Sequence, residues 1–162
     1  MESGARYGEL IGLECADYNP DSATLHIRRS KTGEARHVVL TSDGAAFFAQ
    51  VCAGRAGSER MFARADGQAW MPSQQARPLL EANQRAKIDP PITFHGLRHC
   101  WASLAIMNGT PLLVVAKNLG HSDGRMVEKH YGHLSQSFIA DAIRAGAPKF
   151  GPVRERKVVA LA

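Results

Sequence analysis

Cysteine is scarce in this chain of 162 residues, and its distribution excludes a disulfide-stapled fold. The three cysteines, Cys15, Cys52 and Cys100, are odd in number and far apart, and none has the Cys-x-x-Cys spacing typical of zinc sites. We therefore expect reduced thiols, as in a cytoplasmic protein.

Long apolar runs are also lacking. No stretch approaches the roughly 20 apolar residues that a helix needs to span a bilayer. The first residues show no basic segment followed by an apolar run, which a secretory signal would require. These absences predict a cytoplasmic protein that is neither exported nor embedded in a membrane.

The composition is that of a folded domain with a basic surface. Hydrophobic residues make up 44% and charged residues 22%, which excludes wholesale disorder. Lys and Arg number 20 against 15 Asp and Glu, a formal charge of +5 that favours an anionic partner. The length fits one domain with a single core.

The first quarter of the chain has the pattern of a small antiparallel sheet. Residues 24–28 alternate polar and apolar side chains, and residues 37–40 supply a β-branched partner. Between them, residues 30–34 contain Gly33, as a hairpin loop often requires. Apolar residues at helical spacing in residues 7–13 precede this sheet, which we expect to have about three strands.

The rest of the chain is predominantly helical by its periodicity and capping signals. Ser42, Thr93 and Ser135 are candidate N-caps, and Gly109 and Gly120 follow predicted helices as C-terminal glycines. The predicted helical segments begin after Ser42 and continue with residues 72–87, 93–108, 112–119, 125–131 and 135–146. The fold class is therefore α+β, mainly helical.

Residues 93–101 concentrate groups suited to binding an anion. At about 100° per residue, His95, Arg98 and His99 share one sector of a helix. The opposite sector is apolar and contains Leu97, Trp101 and Leu104. We expect the apolar sector to dock the helix and the other to present a cationic and imidazole edge, although an ordinary amphipathic helix would share this pattern. His99 is expected to be a structural donor rather than a catalyst.

Further polar groups appear in a fixed order around this helix. Gly4 and Arg6 begin a Gly-x-Arg-x-x-Glu sequence, Lys31 lies in the predicted hairpin, and residues 119–121 read Leu-Gly-His. Tyr131 follows ten residues later. Together with the His-x-Leu-Arg-His box, this order resembles the tyrosine recombinase, or phage integrase, family over residues 3–147.

The resemblance implies a catalytic role for each polar group. Arg6 and Arg98 would clamp the scissile phosphate of DNA, and His121 would donate a further hydrogen bond. Tyr131 would be the nucleophile and would form a 3′-phosphotyrosyl link with release of a 5′ hydroxyl. His95 would assist proton transfer, and Lys31 would protonate the leaving oxygen. Guanidinium groups can stabilise the charge of an in-line transfer, so neither a metal, a cofactor nor ATP is expected.

The same resemblance predicts a domain organisation. Residues 1–150 correspond to the catalytic domain and residues 151–162 to a C-terminal tail, while the N-terminal core-binding domain of the family has no counterpart. The expected partner is double-stranded DNA, bound in the intact protein by a homotetramer. Residues 148–162 are a segment that would pack against a neighbouring protomer.

Several alternatives remain open from the sequence. Residues 110–122 resemble half of a helix-turn-helix, so a non-catalytic DNA-binding regulator or an inactive fragment is one competing interpretation. A type IB topoisomerase, which uses similar residues, is a second competing interpretation. The sequence of residues 126–134 resembles integrases more than topoisomerases. For single residues, the alternatives concern other roles: Tyr131 as an ordinary half-buried aromatic, His121 as a helix cap, His121, His130 and His133 as zinc ligands, and Arg28, Arg29 or Arg36 as phosphate contacts in place of Lys31.

Overall fold

The computed structural model describes residues 2–28, 34–121 and 124–148. The predicted α+β, mainly helical class is confirmed, with one small sheet and a predominance of helices. The elements in chain order are α1 (Tyr7–Leu10), β1 (Tyr18–Asn19), β2 (Thr24–Ile27), β3 (Arg36–Val39), α2 (Ser42–Cys52), α3 (Ala76–Ala86), α4 (Phe94–Met107), α5 (Leu112–Leu119) and α6 (Arg125–Gly146). A short 3₁₀ helix, Cys15–Asp17, precedes β1.

The three strands form an antiparallel sheet in the order β1-β2-β3. Leu25 pairs with Val38, and both side chains are fully buried. They pack with Ile27 and with Phe48 of α2 in a hydrophobic cluster that belongs to the first part of the chain. The alternation predicted for residues 24–28 therefore places one face of the sheet against α2. Gly33 of the predicted hairpin lies outside the described residues.

A second hydrophobic cluster is built by α4, α5 and α6. Its buried members are Ala102, Ile106, Val115, Ala116, Leu119, Val127 and Tyr131. Ala102 of α4 and Ala116 of α5 are both fully buried where the three helices pack together. Tyr131 is thus fixed by the packing of a core.

The predicted ends of the helices are confirmed where the chain carries a clear cap. The hydroxyl of Thr93 accepts a hydrogen bond from the Gly96 amide at 2.9 Å and begins α4. After α5, Gly120 has a φ of +71°, the left-handed conformation that glycine adopts without strain.

Two predicted N-caps are wrong. Thr41, one residue before Ser42, caps α2 by accepting from the Gly44 amide at 3.1 Å. Ser135 begins no helix, because α6 continues without interruption from Arg125 to Gly146. No proline interrupts this stretch, and Gly132 lies within the helix. The helix predicted for residues 72–87 is also shorter and begins at Ala76.

The expected orientation of α4 is wrong as well. Its buried positions are Arg98, Ala102 and Ile106, spaced four residues apart on one face. Leu104, predicted to dock the helix, is 52% exposed. The arginine can lie on the buried face because backbone carbonyls accept its hydrogen bonds. None of the helices in the described part of the chain is long and apolar enough to cross a membrane.

Candidate active site

Arg98 is the buried centre of the candidate site, with 6% of the residue exposed. Its Nη1 donates to the carbonyl of Gly4 and its Nη2 to the carbonyl of Leu119, both at 2.7 Å. Burial, together with the positive charge of Arg6, lowers the pKa of Arg98 to about 10. The group is still cationic at neutral pH, and two neutral acceptors fix its orientation.

His121 lies directly beside this guanidinium. Its Nε2 is 3.3 Å from Nη2 of Arg98. Gly120 turns the chain at the end of α5, and the His121 amide donates to the Ala116 carbonyl at 2.9 Å. The helix-ending glycine thus brings the imidazole back to the arginine. The backbone of His121 closes α5 while its side chain lies beside Arg98, so the cap interpretation does not exclude a role at the site.

Arg6 lies immediately before α1 and is held by a carboxylate. Its Nη1 is 3.0 Å from Oε1 of Glu9, and its backbone amide donates to Oε2 at 2.8 Å. Burial raises the pKa of Glu9, but hydrogen bonds from Arg36 and Arg6 outweigh it and leave the pKa below its ordinary value. Glu9 is therefore ionised and fixes Arg6 by charge.

Arg36 of β3 is the second cation on Glu9. Its Nη1 and Nη2 donate to the two carboxylate oxygens at 2.9 and 2.8 Å, and its Nε donates to the Asn118 carbonyl at 3.1 Å. Only 11% of the Arg36 side chain is exposed. The interpretation of Arg36 as a direct phosphate contact is therefore wrong, because its donors are directed at Glu9 and at the end of α5.

Arg28 is also engaged by acidic side chains. Its Nε is 2.6 Å from Oδ1 of Asp17, and its Nη2 is 2.8 Å from Oε2 of Glu14. This pairing disfavours the alternative in which Arg28 replaces Lys31. Lys31 and Arg29 lie outside the described residues.

Tyr131 of α6 is 7% exposed, and its hydroxyl contacts Nδ1 of His99 on α4. Burial raises the pKa of Tyr131, while the positive charge of Arg98 opposes this rise. Burial lowers the pKa of His99, and the neighbouring His95, His130 and Arg98 lower it further. Tyr131 is thus a protonated phenol facing an imidazole that is neutral at neutral pH.

Two further histidines surround this pair. The ring of His95 meets that of His99 edge-on, with 4.4 Å between centroids, and His130 lies 6.0 Å from His99 on the α6 side. His95 thus reaches Tyr131 through His99. The arrangement is an array of imidazoles against the phenol, next to the buried guanidinium.

A profile of the phage integrase family matches residues 1–137, which is most of the chain. The chain belongs to the phage integrase family. Among curated members, tyrosine recombinase XerA of Saccharolobus solfataricus is 25% identical over 134 residues, which cover 83% of this chain and 43% of that protein. The probable integrase/recombinase protein MJ0367 of Methanocaldococcus jannaschii is 26% identical over 129 residues, 74% of this chain and 39% of its own length. This phage integrase chain thus spans less than half the length of these relatives.

Solved structures share the fold of this phage integrase chain. The crystal structure of XerA recombinase superposes with a TM-score of 0.69 at 21% identity, covering 92% of this chain and 56% of the other. The catalytic domain of bacteriophage HP1 integrase gives a TM-score of 0.60 at 24% identity, with 95% of this chain and 79% of that chain covered. The Tn1549 transposon integrase in complex with circular intermediate DNA gives a TM-score of 0.69 at 16% identity. The match covers 89% of this chain and 56% of that chain.

Five of the six residues expected to form the site are described, and four of them lie around the fifth, Arg98. His121 and Arg98 are in contact, Arg6 and Tyr131 are close enough to act on the Arg98 charge, and His95 reaches Tyr131 through His99. The sixth, Lys31, lies outside the described residues. The family pattern thus brings together residues from α1, α4, α6 and the end of α5.

The sequence interpretation gave Glu9 only a place in the Gly-x-Arg-x-x-Glu motif, Arg36 only an alternative role as a phosphate contact, and His99 only a structural role. For His99, the i, i+4 spacing from His95 was the available signal. Among the residues that the structure describes, no group of three or more His, Cys, Asp or Glu side chains is arranged to hold a metal ion. The side chain of His133, part of the zinc alternative, lies outside them.

Proposed function

We propose that this chain is the catalytic domain of a site-specific DNA recombinase or integrase, with Tyr131 as the nucleophile that attacks a DNA phosphodiester. The observation that carries the proposal is the contact between the buried Tyr131 hydroxyl and His99, next to the fixed guanidinium of Arg98. Burial in a core and a direct imidazole partner distinguish Tyr131 from a solvent-exposed tyrosine.

The scissile phosphate would be held by Arg98, Arg6 and His121. A guanidinium has five N–H donors, and Arg98 directs two of its bonds to backbone carbonyls, so donors are left to reach a phosphate oxygen. Neutral carbonyls do not cancel the charge of Arg98. The negative charge that develops on the non-bridging oxygens would therefore meet a prearranged cation.

Proton transfer would begin at the phenol. The Tyr131 oxygen forms a bond to phosphorus as its proton passes to Nδ1 of His99, which for this purpose carries its own proton on Nε2. The bond from phosphorus to the 5′ oxygen breaks, and Lys31 supplies the proton that makes the 5′ hydroxyl. His95, edge-on to His99, would assist proton transfer.

The product would be a 3′-phosphotyrosyl link, which conserves the energy of the phosphodiester. Attack by a 5′ hydroxyl on this link reverses the step and rejoins DNA, on the same or another duplex, without ATP or a metal ion. The two half-reactions have similar energies because one phosphate ester replaces another. This symmetry suits strand exchange.

Double-stranded DNA is the proposed partner of the intact protein, bound as a homotetramer. The net charge of +5 supports a polyanionic partner. The Tn1549 integrase structure, which shares the fold, is a complex with circular intermediate DNA, and the XerH recombinase structure is bound to its difH substrate. Residues 1–150 would form the catalytic domain, with residues 151–162, which lie outside the described residues, as a tail.

The decisive experiment is trapping of a covalent complex on a nicked duplex, from which the cleaved fragment diffuses away so that cleavage cannot reverse. The chain is incubated in EDTA and analysed by denaturing electrophoresis. We expect a slowly migrating protein–DNA adduct with the wild type and none with Tyr131→Phe, which lacks only the nucleophilic oxygen. Tyr18→Phe is the matched control and should form the adduct. It removes a phenol hydroxyl that donates to the Ala45 carbonyl, which is not one of the proposed site residues.

An adduct that survives Tyr131→Phe would overturn the assignment of the nucleophile. Absence of any wild-type adduct, with DNA binding intact, would favour the regulator interpretation. Products that join two different duplexes identify a recombinase, whereas relaxation of supercoils alone would identify a topoisomerase.

A further inference from the structure

Arg36 connects three parts of the candidate site although it touches none of the proposed reacting atoms. Its guanidinium makes a two-bond fork on Glu9 of α1 and a third bond to the Asn118 carbonyl at the end of α5. The residue itself begins β3. One side chain thus links the sheet to the segment that carries Arg6 and to the segment that carries His121.

The first link runs through a shared carboxylate. Oε1 of Glu9 accepts from Arg36 at 2.9 Å and from Arg6 at 3.0 Å, and Oε2 accepts from Arg36 at 2.8 Å and from the Arg6 amide at 2.8 Å. The Glu9 side chain is only 4% exposed. Because four donors converge on two oxygens inside the protein, the position of Arg6 depends on where Arg36 holds the carboxylate.

The second link runs through the turn after α5. A Cβ built on Gly120 would lie 2.7 Å from Cζ of Arg36, so the guanidinium lies flat against a backbone that only glycine permits. The Asn118 side chain also accepts from the Val39 amide of β3 at 2.9 Å. His121 follows this turn by one residue and reaches Arg98. Arg36 therefore fixes the distance between β3 and the turn that presents His121.

We propose that Arg36 is a positioning residue of the DNA-cleavage site, which sets the placement of Arg6 through Glu9 and of His121 through the Asn118–Gly120 turn. This inference rests on the function proposed above. Arg36 touches no substrate atom in this scheme and acts only through the groups that do. A planar fork with three directed bonds is needed, which the single ammonium of lysine cannot reproduce.

The geometry separates this role from the support of an ordinary ion pair. A salt bridge that only stabilises the fold can be replaced with loss of stability but no change in the cleavage step. Arg36 should instead alter the rate of cleavage at saturating DNA, because misplacement of catalytic groups by an ångström costs rate rather than affinity. Replacement of Arg36 should also displace the side chains of Arg6 and His121 when no DNA is present.

The test compares Arg36→Lys with Arg55→Lys in the full chain. Arg55 is the matched control because it also donates to a carboxylate, Glu59, and to backbone carbonyls, those of Val51 and Met61, but none of its partners belongs to the site. Single-turnover cleavage of the nicked duplex and DNA affinity are measured separately. We expect Arg36→Lys to lower the saturating cleavage rate roughly 10- to 100-fold with DNA affinity within about twofold of the wild type, and Arg55→Lys to change neither.

A second measurement requires no catalysis. In ¹H–¹⁵N NMR spectra, the Arg6 Nε–Hε signal and the His121 imidazole signals should shift in Arg36→Lys and remain in place in Arg55→Lys. If Arg36→Lys does not fold, Glu9→Gln serves in its place, because it weakens the same fork from the other side. Where both fold, the loss of cleavage rate in the double variant should be smaller than the product of the two single losses, since both changes disrupt the Arg36–Glu9 fork.

The two proposals fail in different ways. If the wild type forms no Tyr131-dependent adduct, the proposed function is wrong, and unmoved Arg6 and His121 signals in folded Arg36→Lys would independently overturn the positioning role. If the wild type cleaves and Arg36→Lys cleaves at the same saturating rate, the proposed function stands and the inference about Arg36 is wrong.

Discussion

Arg6 and Arg98 come from two regions of the molecule that fix a cation by different means. Arg98 belongs to the helical region, lies on the buried face of α4 and is oriented by two backbone carbonyls. Arg6 belongs to the region that includes the sheet, keeps 28% of its side chain exposed and is oriented by the carboxylate of Glu9. One cation is held by neutral dipoles, and the other by an opposite charge.

The difference affects what each arginine can offer to a phosphate. Carbonyl dipoles orient Arg98 without cancelling its charge, and burial reduces the screening of that charge. Arg6 shares Glu9 with Arg36, so the three side chains together carry one net positive charge. We therefore expect Arg98 to contribute the larger part of transition-state stabilisation and Arg6 to be more sensitive to its surroundings.

Replacement of each arginine, Arg98 and Arg6, by lysine tests the difference between the two regions most directly. Arg98→Lys keeps the charge but loses the fork, so we expect single-turnover cleavage of the nicked duplex to fall about 10²- to 10³-fold. Arg6→Lys should cost roughly tenfold. Thermal unfolding should show a stability loss of about 1–3 kcal/mol for Arg98→Lys, since buried carbonyls of Gly4 and Leu119 lose their donor. Equal losses of rate in the two variants would contradict the distinction between the two regions.

A smaller effect on the rate of cleavage is expected from pH. It should arise from His99, which belongs to the helical region. His99 must be neutral to accept the Tyr131 proton, and burial together with the nearby His95, His130 and Arg98 lowers its pKa below the ordinary 6.5. The contribution of neutral His99 to cleavage should therefore be retained at neutral pH and should be lost as the pH drops through this lowered pKa. In a rate–pH profile, His99→Gln should be slow at every pH and lose this acidic limb.

The control for the pH profile is a folded variant outside the imidazole array. His37→Gln removes an imidazole of β3 that stacks on His26, with 4.8 Å between ring centroids. Its profile should match that of the wild type. An acidic limb that persists in His99→Gln would assign the titration to another group.

The sequence predicted those features whose determinants are local. The N-cap at Thr93 and the terminal glycine at Gly120 are short-range signals, and both ends agree with the structure. The two strands also required only local signals, the alternation of residues 24–28 and the β-branched residues in 37–40, and the structure pairs Leu25 with Val38. The order of the catalytic boxes allowed the family to be recognised before any contact was known.

The features that were missed depend on partners distant in the chain. Arg98 was assigned to a polar sector because a helical wheel cannot show that the Gly4 carbonyl, 94 residues away, accepts its hydrogen bond. Arg36 was considered as an alternative phosphate contact because the sequence does not show its pairing with Glu9, which lies 27 residues away. Burial of a cation depends on such acceptors, and local periodicity contains no information about them.

The smallest effect concerns two glycines that end helices in the same way. Gly109 after α4 and Gly120 after α5 both have positive φ, but a Cβ at Gly109 would meet nothing within 4 Å, whereas one at Gly120 would overlap the Arg36 guanidinium. Gly109→Ala should therefore cost only backbone strain, about 1 kcal/mol of unfolding free energy. Gly120→Ala should cost more and should also slow cleavage, because Arg36 and His121 must move apart. Thermal unfolding and single-turnover cleavage measure both variants. Equal stability with unchanged cleavage would show that the turn tolerates displacement and that the two regions are less tightly coupled than the Arg36 contacts indicate.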